Sequence, residues 1–380
     1  MLHRIVLVTA SVATGALLLA APVAARVLLE TDRTAPSAVQ APLPGATPCG
    51  PEPASAAGWE NLFDSRSGAW AGADGAASVR LPDGQLLWLF GDTFVGAVAG
   101  DGTRAAGSRI VRNSVVVTDG SCVQPMPTTT DALPGRAGTW LWPSAGVVTV
   151  TGTPGRTSTV LVTAQRMQRT GPGAWGFQRV GMAVVTVVVP WRGTPSVGLV
   201  SDLAGRGTAW GAALVRTGAT TWVYGSRERA GELGRDLMLA RAPTATLADR
   251  RTWTYRTAEG WSRAERAAVP VRPASAGVST VPSVVLVDGR WVVVTKAHEF
   301  LDPEVVALAS AHPWGPWTTT PLFSAPSTDD VLRYSPAVVA SSARGRLVVV
   351  VSRTSPSLAL LRERAELAYP TFTDVPWGGR

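Results

Sequence analysis

GADGAASVRLPDGQLLWLFGDTFV, residues 72–95, reads as one complete β-hairpin with an aspartate at each open end. Ala76 to Leu81 and Gln85 to Phe90 are strand-like runs. Pro82-Asp83-Gly84 between them suits a three-residue loop: proline presets φ, aspartate tolerates the turn, and glycine takes the left-handed position. Pairing Leu81 with Gln85 sets the register behind the loop, and counting back from it puts Asp74 opposite Asp92. Opposed residues point to the same face with Cβ atoms roughly 4.5–5.5 Å apart. Two carboxylates that close resist joint ionisation, so one pKa is expected to rise and the other to fall. A glycosidase needs that combination, one acid beside one base or nucleophile. Aspartate in Ala-Asp-Gly and Gly-Asp-Thr also caps turns without doing chemistry, so the pattern alone admits both readings.

The hairpin sits in a chain of 380 residues, 46% of them hydrophobic, with a formal net charge of +8. Val, Thr, Gly, Pro and Trp outweigh the helix formers, which predicts an all-β protein. Lys296 is the only lysine, and the arginines are scattered with no basic run of five or more, which argues against a nucleic-acid partner. At the N terminus a short basic start, Met1 to Arg4, precedes the apolar run Ile5 to Ala21 and the small residues Val23-Ala24-Ala25. Residues 1–25 are therefore expected to be a signal peptide or, since Ile5 to Ala25 carries no charge, a membrane anchor. Either places the folded part in the secreted fraction or on the extracellular face of the cell membrane. Residues 26–58, rich in Pro, Ala, Thr and Ser, are expected to be a linker, and 59–380 the folded domain, a monomer. Cys49 and Cys122 are expected to pair in such an oxidising compartment, two buried thiols being the alternative.

The pattern of the hairpin returns along the chain. A small or polar opening is followed by an apolar strand, a turn often holding Gly, a second strand heavier in Trp and Val, and a more variable pair. The openings centre on Asp74, Trp142, Trp210, Val281 and Tyr334, at intervals of about 53 to 71 residues, and repetition of this kind indicates a five-bladed β-propeller. A β-sandwich is the structural alternative. In a propeller the innermost strands all begin at one face around the axis, so Asp74, Trp142, Trp210, Ser283 and Tyr334 would converge on one pocket. Aromatic residues in such a ring can stack on sugars as well as pack the core.

At GADGAASVRLPDGQLLWLFGDTFV and at Arg112-Asn113-Ser114 the chain resembles a secreted five-bladed propeller family, long catalogued as a domain of unknown function, whose members are associated with endo-D-arabinanase activity on actinobacterial cell-wall arabinans. More distantly it is similar to the five-bladed glycosidases that include arabinanases, xylosidases and invertase-like enzymes. The resemblance is close from Gly72 to Ser114 and one of blade pattern elsewhere. It implies that Asp74 and Asp92 match the paired catalytic aspartates and that Arg112 and Asn113 line the same pocket. The sequence-based expectation is a secreted glycoside hydrolase acting on an arabinan-type polysaccharide, with Trp142, Trp210 and Tyr334 contacting substrate. A non-catalytic carbohydrate-binding or scaffolding propeller is the alternative. No cofactor is expected, and no metal, because the three histidines show no paired ligand spacing. His298 and the pair Asp329-Asp330 are further polar groups that could approach the pocket.

Overall fold

The computed structural model describes residues 49–64, 70–126, 130–203, 207–340 and 345–378. The chain divides into two units, Met1–Thr47 and Pro48–Arg380. The expected signal or anchor and most of the expected linker lie outside the described residues, all of which belong to the second unit. Among them no helix is long and apolar enough to cross a membrane.

The second unit is all-β apart from a few short helices. The opening hairpin has the expected register: Ala77 pairs with Leu89 and Arg80 with Leu86. The loop is closed by the Leu81 and Gly84 N–H groups, which donate to the Gln85 and Leu81 carbonyls at 2.8 and 3.0 Å. Gly84 has φ +90°, the positive value its place in the loop requires. The hairpin pairs with Ser114–Asp119, which pairs in turn with Cys122–Pro125. The same up-and-down order recurs. The second meander is Thr139–Thr151, Ser158–Arg169, Phe177–Val189 and Ser196–Leu203, and the third is Ala209–Thr217, Thr220–Glu228, Arg235–Pro243 and Thr254–Arg256. One parallel bridge, Ala145 to Ala213, joins these two into a larger sheet. The fourth is Ser283–Val287, Arg290–Lys296, Glu304–Ser310 and Thr318–Ser324, and the fifth has three strands, Leu332–Val338, Arg346–Thr354 and Thr371–Pro376. Asp288 and Gly289, both with positive φ, make the tight turn of the fourth meander that the Asp-Gly pair predicts.

Each meander is apolar on both faces, and alternation explains how both are used. In the run Gln85-Leu86-Leu87-Trp88-Leu89-Phe90, Leu87 and Leu89 face the second meander while Leu86, Trp88 and Phe90 face the fifth. Further buried clusters lie between the second and third, third and fourth, and fourth and fifth meanders. The first strands of the five meanders touch in a closed cycle, the fifth returning to the first. This is a propeller-type arrangement, in which no sheet buries its faces alone. The helix Ala56–Asp64 covers the last contact: Trp59 and Phe63 pack against Trp88 and Phe372, and the Ala56 and Phe372 N–H groups donate to Asp374 and Glu60. The folded body thus begins ahead of Trp59. Cys49 and Cys122 form a disulfide, closing a separation of 73 residues onto the outer strand of the first meander. By the loop-entropy argument such a bond contributes about 4 kcal/mol.

Candidate active site

Asp74 and Asp92 interrupt the hairpin where it leaves the first meander. Beyond them the two chains pair again, Ala73 with Thr93 and Trp70 with Val95, forming a small sheet with Arg109–Val111. Between the two paired zones the ladder distorts. The Asp74 N–H donates to the Asp92 carbonyl at 3.2 Å, while the Asp74 carbonyl accepts from Gly91 at 2.7 Å. Gly75, at φ +64°, turns the chain, and its N–H donates to Ser352 Oγ at 2.8 Å. Gly91 leaves room for the Asp74 side chain: a Cβ there would lie 2.5 Å from Asp74 Oδ1. The register therefore places the aspartates opposite each other, and the glycines let one carboxyl lie over the other strand.

The rest of the chain supplies the partners. The Tyr334 hydroxyl, from the first strand of the fifth meander, donates to Asp74 Oδ2. The Trp142 indole N–H, from the first strand of the second, donates to Asp92 Oδ1 at 3.0 Å. Arg112 contacts both Asp92 oxygens, at 3.2 and 3.4 Å, and lies over the Trp140 ring with 5.0 Å to its centroid. The Arg112 N–H is fixed by Asp131 Oδ1 at 2.8 Å. The Arg112 and Asp92 side chains keep 35% and 30% of their surface exposed, so this side of the pair is open to solvent.

Burial is the largest cause of the Asp74 shift, with the Asp92 charge next; together they push its carboxyl from 3.8 up to about 7 against the Tyr334 hydrogen bond. Burial also raises Asp92, with Arg112 and Trp142 opposing it and Asp131 adding to the rise. Here the structure corrects the expectation of one pKa up and one down. Both carboxyls are desolvated by the same enclosure, and the guanidinium beside Asp92 does not fully offset that cost.

Of the residues expected at the site, the structure gathers Asp74, Asp92, Arg112, Trp142 and Tyr334. It does not bring in Asn113 or Trp210. Asn113 is 0% exposed, and its amide is taken up within the chain: it donates to the Leu133 and Leu141 carbonyls at 3.0 and 2.8 Å and accepts from the Leu133 N–H at 2.5 Å. Trp210 is 1% exposed, packed with Trp253 and Tyr255 between the second and third meanders, its N–H on Glu265 at 2.6 Å. Neither has surface to offer a substrate. Ser283 is likewise buried and accepts from the Val338 N–H. His298 pairs with Asp302 at 2.9 Å, and Asp329 and Asp330 are exposed. Two aromatic residues at the site are missing from the sequence-based set. Trp140 shares a strand face with Trp142, a period-two signal that could have found it. Phe300, which packs on Tyr334 with ring centroids 4.6 Å apart, lies in a loop and has no such signal. Among the described residues no group of three or more His, Cys, Asp or Glu converges as a metal site would require.

The family model of a domain of unknown function (DUF5005) matches residues 58–359. No curated protein matches the chain. Among solved structures, a candidate hydrolase from Bacteroides ovatus is 17% identical, with 84% of this chain and 89% of that chain covered and a TM-score of 0.65. A GH43_1 enzyme from Xanthomonas citri is 12% identical, with 85% and 93% covered and a TM-score of 0.45. The catalytic domain of a GH62 α-L-arabinofuranosidase from Coprinopsis cinerea is 11% identical, with 83% and 93% covered and a TM-score of 0.45. The Bacteroides protein shares the fold.

Proposed function

We propose, for this chain that belongs to the DUF5005 family, that it is a glycoside hydrolase built as a five-bladed propeller, each meander being one blade. The observation that carries this reading is the pair Asp74 and Asp92, opposed in register and held by different partners. Asp74, with its pKa raised to about 7, holds a proton in about half of the molecules at neutral pH and in more below it, and serves as general acid. Tyr334 occupies its Oδ2, which leaves Oδ1 to carry that proton. Asp92, gripped by Arg112 and Trp142, is the carboxylate that acts as base or nucleophile. Arg112, about a third exposed, and Trp142, half-buried beside it, are the groups proposed to touch a sugar. The shared fold with a protein described as a candidate hydrolase is in keeping with this.

The substrate in this reading is a furanose-containing cell-wall polysaccharide of the arabinan type, met outside the cytoplasm. An oxidising location is supported by the Cys49–Cys122 disulfide and by the apolar N-terminal run. The test is reducing-end release from arabinans, arabinogalactan and xylans by the full chain and by Asp74→Asn and Asp92→Asn. Release is expected from one polymer, to fall steeply in both variants with folding intact, and to decline above about pH 7 as Asp74 loses its proton. Undiminished release by either variant would remove the pair from the chemistry. Binding without release by any of the three proteins would leave a carbohydrate-binding propeller.

A further inference from the structure

The rings around Asp92 continue past Trp142 and out to solvent. Phe177 meets Trp142 edge-on, centroids 4.8 Å apart, and Trp175 follows at 6.5 Å from Phe177 with its plane tilted by 38°. Trp175 is 57% exposed, Phe177 and Trp142 are half-buried, and Trp142 is the ring whose N–H holds Asp92. A single surface tryptophan means little. A file of three rings that starts on a carboxylate and ends in water is a contiguous apolar track, the kind of surface that marks a binding site.

Both outer rings come from Gly171-Pro172-Gly173-Ala174-Trp175-Gly176-Phe177, at the turn between Ser158–Arg169 and Phe177–Val189. The turn is held by its own backbone. The Thr170 and Gly171 N–H groups both donate to the Gly176 carbonyl, at 2.9 and 3.3 Å, and the Phe177 N–H donates to the Trp175 carbonyl at 2.8 Å. The Arg169 guanidinium caps the Gly171 and Gly173 carbonyls at 3.4 and 2.9 Å. A Cβ on Gly176 would lie 2.2 Å from the Gly171 carbonyl oxygen, so only glycine lets the turn close this tightly. An indole carried on a turn whose backbone is already held costs less ordering entropy when a ligand stacks on it than one on a loose loop.

We infer that Phe177 and Trp175 form an outer sugar platform leading away from the Asp74–Asp92 pair, and that the chain therefore recognises a run of sugar units rather than a single terminal residue. The inference rests on the glycosidase reading of that pair. The ligand is a neutral glycan chain: aromatic faces suit the C–H faces of sugar rings, and no charged side chain lies in the file itself.

The test uses the full chain with Trp175→Ala and Trp175→Phe, on arabino-oligosaccharides of increasing length and on polymeric arabinan. In the native protein kcat/KM is expected to climb with chain length. Trp175→Ala is expected to flatten that climb, with a loss on the polymer of roughly ten-fold, the order of one lost stacking contact, and Trp175→Phe to restore most of it. Affinity electrophoresis in arabinan, with Asp92→Asn as the background, reads binding separately from cleavage: retardation should weaken when Trp175→Ala is added. Cleavage that depends on the aspartates but has the same length profile in Trp175→Ala overturns the platform and leaves the glycosidase. Retardation that depends on Trp175 without cleavage by the native protein leaves the platform and sinks the glycosidase. Neither retardation nor cleavage sinks both.

Discussion

Replacing Asp74 with asparagine should stabilise this protein at pH 8 and leave it nearly unchanged at pH 4. The folded-state pKa of Asp74 is about 7, against an ordinary 3.8. Below about pH 4 the carboxyl is protonated whether the chain is folded or not, and its contribution to stability is complete. As pH rises from there the unfolded chain ionises freely, while the folded chain must keep its proton or bury a charge beside Asp92. Stability therefore falls between about pH 4 and pH 7 and does not return above it. A rise from 3.8 to about 7 corresponds to about 4 kcal/mol at the usual conversion. Part of that belongs jointly to Asp92, and water reaching the open side of the pair screens the rest, so about 2 kcal/mol is the expected gain at pH 8. Asparagine carries no charge and its Oδ1 can still accept the Tyr334 hydroxyl. Urea unfolding of the native protein and Asp74→Asn at pH 4, 6 and 8 measures the difference directly. A difference of equal size at pH 4 and pH 8 would mean that Asp74 ionises like a surface carboxyl, and it could not then be the group that retains a proton.

Two further substitutions separate chemistry from scaffold. Gly91→Ala puts a Cβ 2.5 Å from Asp74 Oδ1, at a residue whose backbone needs no positive φ. Stability should change by no more than about 1 kcal/mol, while kcat/KM falls by about a hundred-fold as the carboxyl is turned aside; unaltered kinetics would place Asp74 outside the reaction. Asn113→Ala removes three buried hydrogen bonds to Leu133 and Leu141 and should cost about 3 kcal/mol in urea unfolding. The folded fraction should keep its KM for the polysaccharide, and a raised KM at unchanged stability would return Asn113 to the substrate.

The hairpin is legible because everything that decides it is local. A short loop with proline and glycine in their proper places admits one register, and that register carries Asp74 to Asp92 without reference to the rest of the chain. Repetition of the same turn-and-strand pattern extends the reading to five meanders. The two tryptophans that open the second and third meanders show where this kind of reading ends. Trp142 and Trp210 occupy equivalent places in the sequence, yet one holds Asp92 and the other is sealed with Trp253 and Tyr255. Both strands are irregular there, between Pro143 and Val147 and between Trp210 and Ala213, and such an irregularity re-aims a side chain in a way that alternation does not encode.

Local alternation and turn chemistry thus determined the all-β class, the hairpin and the juxtaposition of its two aspartates. Tertiary structure decided which residues meet them: Tyr334 lies 260 positions from Asp74 in sequence and Trp142 lies 50 from Asp92, and only the closed cycle of sheets brings them together. It also decided that both pKa values rise. Desolvation depends on how much water the whole enclosure excludes, and no pairwise spacing in the sequence contains that quantity.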